Sequence, residues 1–120
     1  MPHLSIEYSK NIESKIDLSK VLKSVHLSLE QCPEIDLSRL KSRLVPHEAV
    51  ICGARAVSIE MIHVTLAVLS GRNIEMRRTF GKAIFECLQE QTAGYGADQA
   101  QGALSLTVEI REMERDCYFR

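Results

Sequence analysis

Leu4, Ile6 and Tyr8 alternate with Ser5 and Glu7. A period of two along the chain marks a strand with one buried face. Asp17 then offers a side-chain oxygen to the free amides of a helix start, and Leu18, Val21, Leu22, Val25 and Leu29 follow along one helical stripe. That stripe predicts an amphipathic helix, ended by Pro33. Residues 40–45 predict a second strand with Lys41 and Arg43 on one face, and Pro46 and Gly53 predict irregular structure after it. The pattern then recurs. Ile62, Val64, Leu66 and Val68 alternate with His63, Thr65 and Ala67. Gly71-Arg72-Asn73 predicts a turn with Asn73 as helix cap, and Met76, Phe80, Ala83, Ile84, Cys87 and Leu88 make a second apolar stripe. Residues 92–102, with Gly94, Gly96 and Gly102, predict a loop. Leu104, Leu106, Val108 and Ile110 then alternate with Ser105, Thr107, Glu109 and Arg111 as the clearest strand of the chain.

The chain thus reads β-α-β, then β-α-β. This is an α+β fold in one domain over residues 1–120, with pseudo-repeat halves at about 2–60 and 61–120. His3-Leu4-Ser5-Ile6 and His63-Val64-Thr65-Leu66 open the two halves 60 residues apart, and the two helix caps lie 56 apart. Each unit joins parallel strands through a helical crossover. Both helices have one apolar face, so both are expected on the same face of a four-stranded mixed sheet. The opposite face is expected to carry some apolar content and to need a cover, for which a second subunit is the simplest candidate.

Composition narrows the class. A chain of 120 residues with 45% hydrophobic and 26% charged positions is an ordinary globular domain. Its core is small, so self-association would help it. The net charge of -1 gives no electrostatic case for nucleic acid or an anionic membrane. The opening Met1-Pro2-His3-Leu4 has no basic segment and no long apolar run, and nothing approaches the ~20 residues that span a bilayer. A cytoplasmic protein is expected. Cys32, Cys52, Cys87 and Cys117 are scattered without a CxxC pair, which reads as free thiols, with Cys87 as a core filler.

Pro2 is the first candidate for chemistry. Removal of Met1 before a small residue would leave a secondary amine at the chain terminus. An α-amino group has a reference pKa near 7.7–8.0, and a dry pocket or a nearby cation lowers it. Such an amine is a general base poised near neutral pH. On position alone, Pro2 also reads as the plain start of an edge strand. His3, His26, His47 and His63 lack metal-ligand spacing, so no metal is expected, and His63 reads as a sheet-face or interface residue. The turn at Gly71 lacks GxGxxG and the glycine loop lacks a P-loop lysine, so no nucleotide cofactor is expected. Arg77 and Arg78 read as a solvated helix face, and residues 109–115 as an exposed strand end with a tail. Tyr118-Phe119 reads either as packing across a subunit boundary or as a frayed end.

Several segments together carry a resemblance. Pro2-His3-Leu4-Ser5-Ile6-Glu7-Tyr8-Ser9 with Asn11-Ile12, then Leu40-Lys41-Ser42-Arg43, then His63-Val64-Thr65-Leu66 with Gly71-Arg72, are similar to 5-carboxymethyl-2-hydroxymuconate Δ-isomerases of the tautomerase superfamily. The resemblance runs without gaps from Pro2 to about Arg72. It implies a duplicated β-α-β fold, a homotrimer and a cofactor-independent enol–keto isomerase of aromatic-compound catabolism. The implied substrate is a polycarboxylate dienol. Pro2 would move the proton, and Arg72 would meet a carboxylate or the developing oxyanion. Lys41 and Arg43 would bind substrate carboxylates. The family usually has Arg-Ser-Arg at residues 41–43, so Lys41 keeps the charge and loses the planar fork. Arg43 is equally readable as an interface ion partner or plain surface. A tautomerase of a smaller enol such as phenylpyruvate, and a non-catalytic trimeric binding module, remain as alternatives.

Overall fold

Alternation puts Leu4, Ile6 and Tyr8 of strand β1 (His3–Ser9) on one face, where all three are buried. The structure, a computed structural model, describes residues 2–54, 59–95 and 103–120. Helix α1 (Leu18–Ser28) follows β1, then strand β2 (Lys41–His47), strand β3 (Ile59–Leu69), helix α2 (Ile74–Gln91) and strand β4 (Ala103–Met113). The sheet order is β2-β1-β3-β4. β1 runs parallel to β2 and β3 parallel to β4, while β1 and β3 meet antiparallel with His3 opposite Ala67 and Tyr8 opposite Ile62. Two β-α-β units therefore abut through their first strands.

Both caps read from the sequence form. Asp17 accepts from the Lys20 amide at 3.2 Å and Asn73 from the Met76 amide at 2.8 Å. Val21, Val25 and Leu29, with Phe80, Ala83, Ile84 and Leu88, bury the facing sides of the helices against the sheet. Each fully buried side chain of this size contributes roughly 1.5–3 kcal/mol. The α-helical part of α1 ends at Ser28 and continues as a tighter 3-10 turn over Leu29–Gln31. Cys32 is then extended, as a residue before proline prefers.

Two features were not expected from the sequence. Pro46 lies inside β2 rather than after it. β2 is an edge strand, where a missing amide costs no ladder bond on the open side. A 3-10 turn over Lys10–Ser14 buries Ile12 and is tied back to β1 by Tyr8 Oη, which donates to Glu13 at 2.6 Å. Burial and that carboxylate push the Tyr8 hydroxyl up to about 12. The sheet face away from the helices carries some apolar side chains, as expected, within a mainly polar surface. Its apolar members, such as Val45, Met61 and Ala67, are scattered among paired groups: His47 Nε2 donates to Glu7 at 2.9 Å and His63 Nε2 to Glu109 at 3.2 Å. The out-facing residues of β1 and β4 are mostly serine, threonine and charged side chains, which sets that character.

The loop expected over residues 92–102 lies outside the described residues from position 96 onward. The four cysteines are free; Cys32 is buried, Cys87 is half-buried against the core, and burial raises the thiol pKa of both. Among the described residues no helix is long and apolar enough to cross a membrane.

Candidate active site

Pro2 opens β1 from a buried position. Its parity is that of Leu4 and Ile6, so it belongs to the helix side of the sheet. Its carbonyl accepts from the Lys41 amide at 3.1 Å, which fixes the strand start against β2. The register of β1 with β3 sets this end of β1 beside Val68 and Leu69.

Arg72 arrives at the same end. Gly71 turns the chain with φ +116°, a conformation that side chains rarely adopt, and directs the next residue back over the sheet end. The half-buried Arg72 guanidinium donates to the Leu69 carbonyl at 3.4 Å and the Glu34 carbonyl at 3.0 Å. It also lies 5.8 Å over the buried Phe80 ring. Both Nη atoms are thus oriented by backbone oxygens, and among the described residues no carboxylate pairs with the cation. A guanidinium has five N–H donors, so this one keeps further donors for a ligand.

The turn has supports that local sequence does not announce. Arg77 Nε donates to the Arg72 carbonyl at 3.2 Å, and Arg77 also pairs with Glu112 at 3.5 Å. Arg77 is therefore half-buried bracing, whereas Arg78 is the solvated residue that was expected of both. Arg115 Nε donates to the Ser70 carbonyl at 2.6 Å. No periodicity signals these contacts, because their partners come from other elements.

Lys41 and Arg43 lie elsewhere. Both sit on the polar face of β2, across the sheet from the helices, and both are exposed. Among the described residues the Lys41 side chain makes no salt bridge or hydrogen bond. Arg43 is engaged: its Nη2 donates to His3 Nδ1 at 2.7 Å, and His3 Nε2 is 2.8 Å from Tyr118 Oη. Within one chain the structure thus brings Pro2 and Arg72 to one sheet end on the helix side and sets Lys41 and Arg43 on the other face. No cluster of three or more His, Cys, Asp or Glu side chains among the described residues is placed to hold a metal ion.

The Arg43–His3 contact dictates a tautomer. A guanidinium only donates, so Nδ1 must accept, and a neutral His3 then carries its hydrogen on Nε2 and donates it to Tyr118. Burial first, then Arg43 and Lys41, lower the His3 pKa. We expect His3 to titrate below 6.5 and to show the Nε2–H tautomer in nitrogen-15 NMR. The unfolded chain takes up this proton first as pH falls. The folded state therefore loses stability as pH drops through 6.5, and the loss levels off below the folded pKa. Titration at or above 6.5 would contradict the contact.

The family model for 5-carboxymethyl-2-hydroxymuconate isomerase matches residues 2–120. The chain is 26% identical over 120 residues to the 5-carboxymethyl-2-hydroxymuconate Delta-isomerase of Escherichia coli, covering 100% of this chain and 93% of that protein. Among solved structures, a 5-carboxymethyl-2-hydroxymuconate isomerase from Deinococcus radiodurans R1 superposes with a TM-score of 0.83 at 24% identity, over 99% of this chain and 87% of the other. A fused 4-OT symmetric trimer shares the fold more distantly, with a TM-score of 0.66 at 16% identity over 94% of this chain and 86% of that one. With a family match that spans all but its first residue, this tautomerase-fold chain belongs to the 5-carboxymethyl-2-hydroxymuconate isomerase family.

Proposed function

We propose that the chain is an isomerase that converts a 2-hydroxymuconate-type dienol to its unsaturated ketone, with Pro2 as general base once Met1 is removed. Family membership carries the isomerase class. The observation that supports the residue assignment is the pairing of a buried strand-opening Pro2 with an Arg72 oriented by two backbone carbonyls at one sheet end.

The chemistry balances without a further reactant. The Pro2 amine takes the proton of the 2-hydroxyl, and the oxygen's electron pair forms the carbonyl. The enol double bond shifts along the diene, and its far carbon takes the proton back from the Pro2 ammonium. Arg72 donates to the oxygen or its neighbouring carboxylate while negative charge develops there, from a site already ordered for that role. A homotrimer is part of the same proposal. Lys41 and Arg43 lie across the sheet from Pro2, so they would reach a substrate carboxylate only from a neighbouring copy. The trimeric 4-OT structure of related fold supports that assembly.

One observation favours a second reading. Arg43 is tied to His3, and Lys41 is a point charge rather than a fork. Arg72 would then carry the main carboxylate clamp near Pro2, which suits a smaller enol such as that of phenylpyruvate.

The test uses protein whose Met1 removal is confirmed by intact mass. It follows ketonisation of 5-carboxymethyl-2-hydroxymuconate by ultraviolet absorbance, beside enol phenylpyruvate. Preferential turnover of the muconate is expected. Turnover of phenylpyruvate alone would transfer the assignment to the smaller enol, and turnover of neither would leave the non-catalytic binding module on the same fold.

A further inference from the structure

The last residues of the chain touch both halves of the candidate site. After β4 ends at Met113, a 3-10 turn over Arg115–Cys117 bends the tail back. At its start, Arg115 Nε donates to the Ser70 carbonyl at 2.6 Å, in the turn that delivers Arg72. The Ser70 amide in turn donates to the Met113 carbonyl at 2.8 Å. The Arg115 side chain passes 3.6 Å from where a Cβ on Gly71 would stand, an ordinary contact distance, so the glycine is set by its φ of +116° and not by this approach. Three residues later, Tyr118 meets His3, the neighbour of Pro2, through the 2.8 Å hydrogen bond and an edge-on ring contact with centroids 5.9 Å apart. His3 is itself held by Arg43. Phe119, the next residue, is 89% exposed, so the ordered contact ends at Tyr118.

We propose that residues 114–118 act as a positioning strap, in which Arg115 on the Arg72 turn and Tyr118 on His3 together set the spacing between Pro2 and Arg72. The two anchors are joined by a single turn, closed by the Cys117 amide donating to Glu114 at 3.1 Å and the Tyr118 amide to Arg115 at 3.3 Å. A change at either end is therefore transmitted to the other. Neither Arg115 nor Tyr118 needs to touch substrate. Each acts through a residue adjacent to the proposed chemistry: Ser70 for Arg72, and His3 for Pro2. The effect on turnover rests on the roles proposed above for Pro2 and Arg72, while the strap as a physical element does not.

The test compares Tyr118→Phe, Arg115→Met and the double variant. Each single change should lower kcat/KM for 5-carboxymethyl-2-hydroxymuconate about tenfold. The loss should lie mainly in kcat, because small misplacement of reacting groups is costly. The urea midpoint should stay near wild type. The double variant should be little worse than either single one, as expected when two contacts form one device. Amide exchange at Cys117 and Tyr118 should quicken about five- to tenfold in Tyr118→Phe, the range for one hydrogen bond of ordinary strength. Unchanged exchange in that variant overturns the strap. Quickened exchange with unchanged kcat, or with losses that multiply in the double variant, overturns its role in positioning. A wild type that turns over no muconate, with exchange as expected, overturns the assignment of Pro2 and Arg72 and leaves the strap standing.

Discussion

Pro2→Ala protein, processed to a free terminal amine, is expected to turn over 5-carboxymethyl-2-hydroxymuconate at least about 10²-fold more slowly than wild type, the low end for a positioned general base. The fold should survive the change. Proline donates nothing to the sheet, and the carbonyl of residue 2 still accepts from the Lys41 amide. Loss of buried ring atoms costs about 1–2 kcal/mol at roughly 0.8 kcal/mol per methylene. What alanine loses is the ring that fixes the nitrogen. Its primary amine swings about the terminal bond, so the amine remains but its aim does not. Kinetics and urea unfolding on one preparation separate the two effects. Wild-type kcat/KM in a correctly processed variant would remove Pro2 as the base.

Phe80→Ala should give the largest stability loss, about 3–5 kcal/mol, as for other buried phenylalanines cut to alanine. Phe80 is fully buried in the face of α2 that meets the sheet, so the cavity has little room to collapse. Domains of this size have only about 5–15 kcal/mol to lose. The ring is also the surface over which Arg72 lies. Phe80→Leu separates the two roles. It restores most of the volume and removes the π face, whose attraction for a guanidinium is about 0.5–2 kcal/mol. Urea unfolding should show Phe80→Leu well above Phe80→Ala, while kcat/KM stays depressed in both. A leucine variant with wild-type kinetics would reduce the ring to packing alone.

The elements that set the fold were legible because each has a strong local signature. Leu4, Ile6 and Tyr8 announce β1, and Asp17 and Asn73 announce the helix starts, at single positions that the caps then occupy. Pro46 misleads for a physical reason. A proline breaks an interior strand and is tolerated on an edge, and which strand is the edge follows from sheet order rather than local sequence. The Lys10–Ser14 turn has no period to reveal it. Alternation gives both the polar residues of β1 and β4 on the open face and the apolar ones that β2 and β3 add to it. For the proposed site, Pro2 was readable as a terminal amine and Arg72 only through resemblance. Their surroundings were not legible. Arg72 rests on a carbonyl 38 positions earlier, Arg115 on one 45 positions earlier, and Tyr118 on a histidine 115 positions earlier. Only the closed sheet brings such partners together.

The antiparallel meeting of the two first strands has a stoichiometric consequence. It sets the beginnings of the two units at opposite ends of the sheet, with His3 opposite Ala67 and Tyr8 opposite Ile62. In the second unit, the position equivalent to Pro2 is Ile62, one residue before His63. Ile62 is joined to Met61 by a peptide bond, and its nitrogen is an amide with no basic lone pair. A doubled unit that relies on a terminal amine can therefore arm only one of its two ends. Two β-α-β units in one chain thus offer one terminal amine between them to the proposed chemistry. This leaves the disarmed end, beside Tyr8 and the Lys10–Ser14 turn, free to diverge without cost to the proposed chemistry.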